Sequence, residues 1–190
     1  MGRTTNATDE VSYEQLWQKL CSGDRHALGI LFTSTFESLY KYGYRIIPNS
    51  EKVRDAIQEV FFQLWKYRKN LSKPGSIRAY LFVSLRRELL NRKKAAQRRE
   101  EIDRQYSEEE FDPLLSYNKW DEILDLKDDE SKELKKAIEK LTPRQREIIY
   151  LKYYEGLAAG EISKILEIRT QSIYNFLSDA VKTLRVFLDK

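Results

Sequence analysis

Six residues in one short stretch, Arg86, Arg87, Asn91, Arg92, Lys93 and Lys94, are of the types that bind nucleic acid. Arginine and asparagine offer donor and acceptor patterns that match base edges, whereas lysine chiefly supplies a charge for phosphate. The wider segment 84–99 carries about seven bases against one acid, a density suited to salt-dependent phosphate contacts. Just upstream, residues 71–81 (LSKPGSIRAYL) form a loop with polar donors and the cation Arg78, followed by the aromatics Tyr80 and Phe82. Aromatic stacking captures an unpaired base at about 1–3 kcal/mol per base, so loop, ring and cation together could hold a separated strand. Two bland readings stay open: a charge run is often only a solvated face, and Tyr80 and Phe82 could be helical core.

Other chemistry is poorly served. A single histidine, His26, and a single cysteine, Cys21, leave no intramolecular disulfide and no metal-ligand cluster. There is no phosphate-cradling glycine loop. Thirty acids always allow some carboxylate pair, but Asp55 and Glu59 fall on an exposed helix face rather than in a suggested pocket. The expectation is a protein that is not an enzyme and needs no metal or cofactor.

The elements that would position the basic cluster are helical throughout, so the expected fold is all-α: two small helical domains joined by an acidic linker. β-branched alternation is absent, and glycine and proline are too sparse for a many-turned sheet. The first domain is read over 12–99. Ser12 is expected to cap a helix bearing Leu16, Trp17 and Leu20, and Asp24 one bearing Ala27, Leu28, Leu31, Phe32, Phe36, Leu39, Tyr40 and Tyr44. Ser50 is read as the cap of a helix from Glu51 to about Arg68, and a last helix runs from about Ile77 to Arg99. The linker is read over 100–129, and the stretch from Glu100 to Glu130 holds about thirteen acids and three bases, with a helical stretch expected near Trp120 to Leu126.

The second domain, 130–190, contains a helix-turn-helix pattern. Thr142, Pro143 and Gln145 make a capping box with proline at the first helical position. Ile148, Ile149, Leu151 and Tyr153 are read as its apolar face, and Gly156 as its stop. A short helix follows from about Ala159 to Leu166, and Thr170 is read as the cap of a longer one. The second helix of such a motif enters the major groove and reads bases from its N-terminal residues. Here those are Arg169, Thr170, Gln171, Ser172, Tyr174, Asn175 and Ser178, with Lys182 and Arg185 placed for phosphate.

The helix over 53–65 has two contrasting faces. At about 100° per residue, Val53, Ile57, Val60 and Leu64 cluster on one side, flanked by Ala56 and Phe61. Opposite lie Asp55, Gln58, Glu59 and Phe62. Burying such a phenylalanine is worth about 1.5–3 kcal/mol, which points to a partner surface, the alternative being an isolated surface aromatic.

The run Asp55-x-x-Gln58-Glu59-x-Phe61-x-x-x-Trp65 resembles the region-two helix of extracytoplasmic-function (ECF) sigma factors, and the helix-turn-helix resembles region four of that family. Together the two resemblances cover about four-fifths of the chain, in the family's order. The resemblance implies a promoter-specificity subunit of RNA polymerase. Asp55, Gln58, Glu59 and Phe62 would contact the β′ coiled coil of core polymerase, with Trp65 anchoring the helix. Arg78, Tyr80, Arg86, Arg87, Asn91, Arg92, Lys93 and Lys94 would serve the single-stranded −10 element. Residues 169–172 with Tyr174, Asn175, Ser178, Lys182 and Arg185 would read duplex −35 DNA, with region four also leaning on the β flap. It also implies an anti-sigma partner, often membrane-anchored.

The sequence departs from the family's habit in three places. Glu167 stands where glycine or asparagine is usual, Ala158-Ala159-Gly160 replace a serine-aromatic-acid helix start, and Asp179 occupies a frequently basic position. The acidic linker would either occupy a basic polymerase channel or serve as a plain tether. An autonomous helix-turn-helix regulator that binds duplex DNA without polymerase is the competing function. With no signal-like leader in residues 1–10 and no apolar run of membrane-spanning length, no membrane insertion and a cytoplasmic location are expected.

Overall fold

The computed structural model describes residues 12–103 and 136–188, and every regular element among them is helical. The N-terminal body comprises α1 (Tyr13–Cys21), α2 (Arg25–Ile46), α3 (Ser50–Tyr67), a 3₁₀ turn (Arg68–Asn70) and α4 (Ile77–Asp103). The C-terminal body has a helical turn at 136–139 and then α5 (Pro143–Ile149), which continues as a π turn (Tyr150–Tyr154). It ends with α6 (Ala159–Leu166) and α7 (Thr170–Leu188). Residues 100–103 of the expected linker continue α4; the rest of it, with the stretch read as helical near Trp120, lies outside the described residues.

Local chemistry explains the helix starts. Ser12 and Gln15 exchange side-chain to backbone bonds in a capping box, and Asp24 accepts from the backbone N–H groups of His26 and Ala27. Asn49, not Ser50, caps α3. Its backbone is extended and its Oδ1 accepts from Lys52 N at 2.9 Å, while Ser50 is already helical and its hydroxyl accepts from Tyr40. The box at Thr142 and Gln145 forms as read, with Pro143 at the first helical position. Thr170 is the first residue of α7 rather than its cap: the Arg169 carbonyl accepts from Ser172 and Ile173, and the Thr170 hydroxyl instead reaches Ser163 Oγ at 3.2 Å.

The core of the N-terminal body is built from Leu16, Trp17 and Leu20 of α1, Leu31, Leu39 and Tyr42 of α2, the α3 apolar face, and Leu81, Phe82, Leu85 and Leu89 of α4. All six apolar α3 residues named above are buried, and the five larger than alanine contribute about 1.5–3 kcal/mol each of transfer free energy. Phe82 proves to be core. In the C-terminal body Ile148, Leu151, Ile162, Ile165, Leu166 and Ile173 pack together.

One expected core position is overturned. Tyr153 is 65% exposed, and Tyr150, which the periodicity did not select, is 2% exposed. The cause is the π turn: the Glu155 N–H bonds to the Tyr150 carbonyl, five residues back, so the helix widens and its inward face shifts.

Candidate nucleic-acid interface

Three surfaces emerge from these elements. On α3, Asp55, Gln58 and Phe62 are exposed, Phe62 at 57%, directly opposite the buried face. Glu59 is half-buried and accepts a hydrogen bond from the Gln63 amide. Trp65 is held in place by cations, with Arg68 over its ring at 4.1 Å and Arg25 at 5.6 Å.

The second surface is α4 and the loop before it. Ser76 caps this helix by accepting from Ala79 N. Tyr80 is half-buried, its ring edge-on to Trp17 at 5.3 Å, and it borders a groove between α3 and α4. Tyr67, Gln63, Ser84 and Glu88 also line that groove, and sequence reasoning did not single them out. Farther along α4, Asn91 and Lys94 are exposed and Lys93 is half-buried. Arg92 pairs with Glu88 at 2.7 Å and donates to the Asp55 carbonyl at 3.4 Å, tying α4 to α3.

The remaining cations of this surface are not free. Arg78 pairs with Glu155 at 2.9 Å, Arg86 with Glu147 at 3.3 Å and Arg87 with Glu167 at 3.0 Å. All three carboxylates belong to the C-terminal body. Glu155 is buried, its side chain 2% exposed, and also accepts from the Tyr150 hydroxyl at 2.6 Å. Glu147 accepts from Tyr42, Arg86 and Arg144. Around these pairs Tyr42 stacks on Tyr150 with planes 9° apart, and Arg45 lies 3.8 Å over the Tyr150 ring.

The electrostatics follow. Burial would lower the Arg86 pKa, but the neighbouring Glu147 carboxylate and Tyr42 outweigh it and raise it above the usual arginine value. Burial first, then Glu155, pushes the Tyr150 phenol well above its ordinary pKa despite Arg45, so it stays a neutral donor. No signal in the sequence marks Glu147 or Glu155, because their partners lie 61 and 77 residues away.

The third surface is the start of α7. Arg169, Thr170, Gln171, Tyr174, Asn175 and Ser178 are exposed, Ser172 is partly exposed, and Lys182 and Arg185 are exposed farther along. Gln171 donates to the Asn175 side chain one turn on, so the two amides present a joined donor and acceptor edge. Lys182 lies 3.8 Å from Asp179, both exposed, so its charge is partly offset there. The turn before α7 is set by Glu167, left-handed at φ 55°, ψ 42°. The start of α6 is better capped than its alanines suggest: Glu161 reaches back to accept from Ala158 N at 2.7 Å.

Known proteins resemble the chain over both helical bodies. The family model for Sigma-70 region 2 matches residues 31–99, and that for Sigma-70, region 4 matches residues 131–184. The ECF RNA polymerase sigma factor SigK of Mycobacterium bovis (strain BCG / Pasteur 1173P2) is 25% identical over 179 residues, covering 93% of each chain. SigK of Mycobacterium ulcerans (strain Agy99) is 26% identical over 177 residues, covering 92% of each. Two solved structures share the fold. CnrH in complex with the cytosolic domain of CnrY has a TM-score of 0.61 at 17% identity, covering 94% of this chain and 98% of that one. The sigma factor RpoE in complex with the anti-sigma factor NepR from Bartonella quintana has 0.58 at 19%, covering 85% and 96%. With region 2 falling on the N-terminal helical body and region 4 on the helix-turn-helix, the chain belongs to the sigma-70 family as an ECF sigma factor, a promoter-specificity subunit of RNA polymerase.

Proposed function

We propose a division of labour within this sigma factor over 12–99, 100–129 and 130–190. Asp55, Gln58, Glu59 and Phe62 dock on the β′ coiled coil of core polymerase, with Trp65 fixing the helix. Arg78, Tyr80, Arg86, Arg87, Asn91, Arg92, Lys93 and Lys94 engage the −10 element as a single strand. The α7 face from Arg169 to Ser178, with Lys182 and Arg185, reads the −35 duplex, and the C-terminal body rests on the β flap. The chain acts by binding alone, without a catalytic step or cofactor, in the cytoplasm. No helix among the described residues is long and apolar enough to cross a membrane.

The observation that carries the reading is Phe62. A phenylalanine 57% exposed between Asp55 and Gln58, on a helix whose other face is fully buried, is apolar area held ready for a partner. An anti-sigma protein is proposed as a further partner, since RpoE of the same fold is seen bound to one. The segment from residue 100 to 129 is proposed to occupy a basic polymerase channel through its acids.

Co-purification with core polymerase tests the docking face. The wild-type chain is expected to be retained, and Gln58→Ala/Phe62→Ala to lose at least about tenfold in affinity, as central apolar contacts do in interfaces. Both side chains are exposed, so folding is unaffected. Undiminished retention of the double variant overturns the assignment of this face. A wild-type chain that ignores polymerase but binds duplex DNA by itself is instead an autonomous regulator.

A further inference from the structure

We propose that Gln171, held in place by Asn175, reads one adenine of the duplex −35 element and sets the base preference at that position. The inference rests on the assignment of the α7 face to −35 DNA, and adds which base is chosen and by which atoms.

Helical winding puts these two side chains at the centre of the exposed face. At about 100° per residue, Gln171 and Asn175 fall close to opposite the buried Ile173 and Ala180. Tyr174 and Ser178 lie to one side of them, and Lys182 and Arg185 lie farther along the helix. Both amides belong to the first two turns, where a recognition helix meets base edges. Neither carries a charge, so neither supplies the salt-dependent attraction that phosphate contacts need.

The bond between them fixes what they offer. Gln171 Nε2 donates to Asn175 Oδ1 at 3.1 Å. Gln171 is left with its Oε1 as an acceptor and one N–H as a donor, side by side on one amide. Adenine presents the complement in the major groove, an N6 donor beside an N7 acceptor, and a glutamine amide meets both. Guanine presents two acceptors there, O6 and N7, so one of them would meet the Oε1 lone pairs. Were the bond reversed, with Asn175 donating to Gln171 Oε1, Gln171 would keep two N–H groups for the groove and guanine would be accepted. The direction of the bond therefore carries the discrimination. An amide already held by a neighbour also has less rotational freedom to lose on binding. Gln171 is the reading residue, and Asn175 is a positioning residue that acts through it.

Base preference is the direct readout. Holoenzyme formed from core polymerase and the full chain selects sites from a pool of random duplex DNA, and the retained DNA is sequenced. Wild type is expected to enrich an upstream box with one position where adenine exceeds guanine about tenfold, the scale of a bidentate base contact. Gln171→Ala should flatten that position while the rest of the box and the downstream element persist. The salt dependence of binding should stay as in wild type, which loss of a phosphate contact would not allow. Gln171→Glu should move the preference there to cytosine, whose N4 amino group a carboxylate accepts. Asn175→Ala should lose most of the adenine preference at the same position. Asn175→Asp keeps the acceptor for Gln171 Nε2 and should restore it. Both side chains are exposed, so these changes leave the fold intact.

Guanine at the position that Gln171→Ala flattens overturns the inference. So does a box that Arg169→Ala alters and Gln171→Ala leaves untouched; in both cases α7 stands as the −35 reader. Adenine preference undiminished in Asn175→Ala overturns the role given to the bond. An upstream box that neither Arg169→Ala nor Gln171→Ala alters, or no upstream box at all, overturns the assignment of α7 as well.

Discussion

At Glu167 the backbone turns left-handed, at φ 55°, to end α6 and aim α7. A side chain with a Cβ costs about 1–2 kcal/mol in that region, which is why glycine or asparagine is the usual choice for such a turn. Its exposed pair with Arg87 returns only about 0.2–1 kcal/mol. Glu167→Gly should therefore stabilise the C-terminal body by about 0.5–1 kcal/mol, seen as a higher urea midpoint; a lower midpoint would mean the pair outweighs the backbone strain. At the same scale, Phe62 was legible as an exposed aromatic from its place in the helical period alone. Tyr80 was not resolvable that way, because its half-buried position depends on Trp17, which lies on a distant helix.

Helix starts were the most legible elements, since a cap and its partner lie within three residues. Ser12, Asp24 and Thr142 are where their local chemistry put them, and Asn49 takes the place read for Ser50 because its backbone is extended and its side chain accepts from Lys52 N, one residue before the helix begins. The π turn was illegible: a 3.6-residue period assumes the winding it was used to detect, so Tyr153 was chosen where Tyr150 is buried. Gly43 is a further packing feature that periodicity passed over. A Cβ there would sit 2.8 Å from Val53 Cγ1 and 3.2 Å from Leu89 Cδ1, so α2 needs glycine to approach α3 and α4. Gly43→Ala gains about 1 kcal/mol in helix propensity but overpacks the core, at a typical cost of about 1–3 kcal/mol. With two branched neighbours facing the new methyl, the net expectation is a destabilisation of about 1 kcal/mol in chemical unfolding of the full chain. An unchanged or raised midpoint would show that Val53 and Leu89 can yield.

For the whole molecule, the charge pattern along the chain revealed what could bind nucleic acid but not how the charges are spent at rest. Seven cations between 84 and 99 look like one continuous surface in the sequence. In three dimensions Arg78, just before that run, and Arg86 and Arg87 within it are neutralised by carboxylates from the other body, while Asn91 and Lys94 stay exposed. Such pairings, between residues 61 to 80 positions apart, follow no local period and could only be found in the fold. The central claim is that this chain gives core polymerase its promoter choice. Transcription from total genomic DNA of the source organism, with core polymerase alone and with the chain added, tests it most directly by mapping RNA 5′ ends. The account predicts that the chain creates a new set of start sites sharing common −10 and −35 sequences, and that Gln58→Ala/Phe62→Ala abolishes them. Start sites no different from those of core polymerase alone would contradict it.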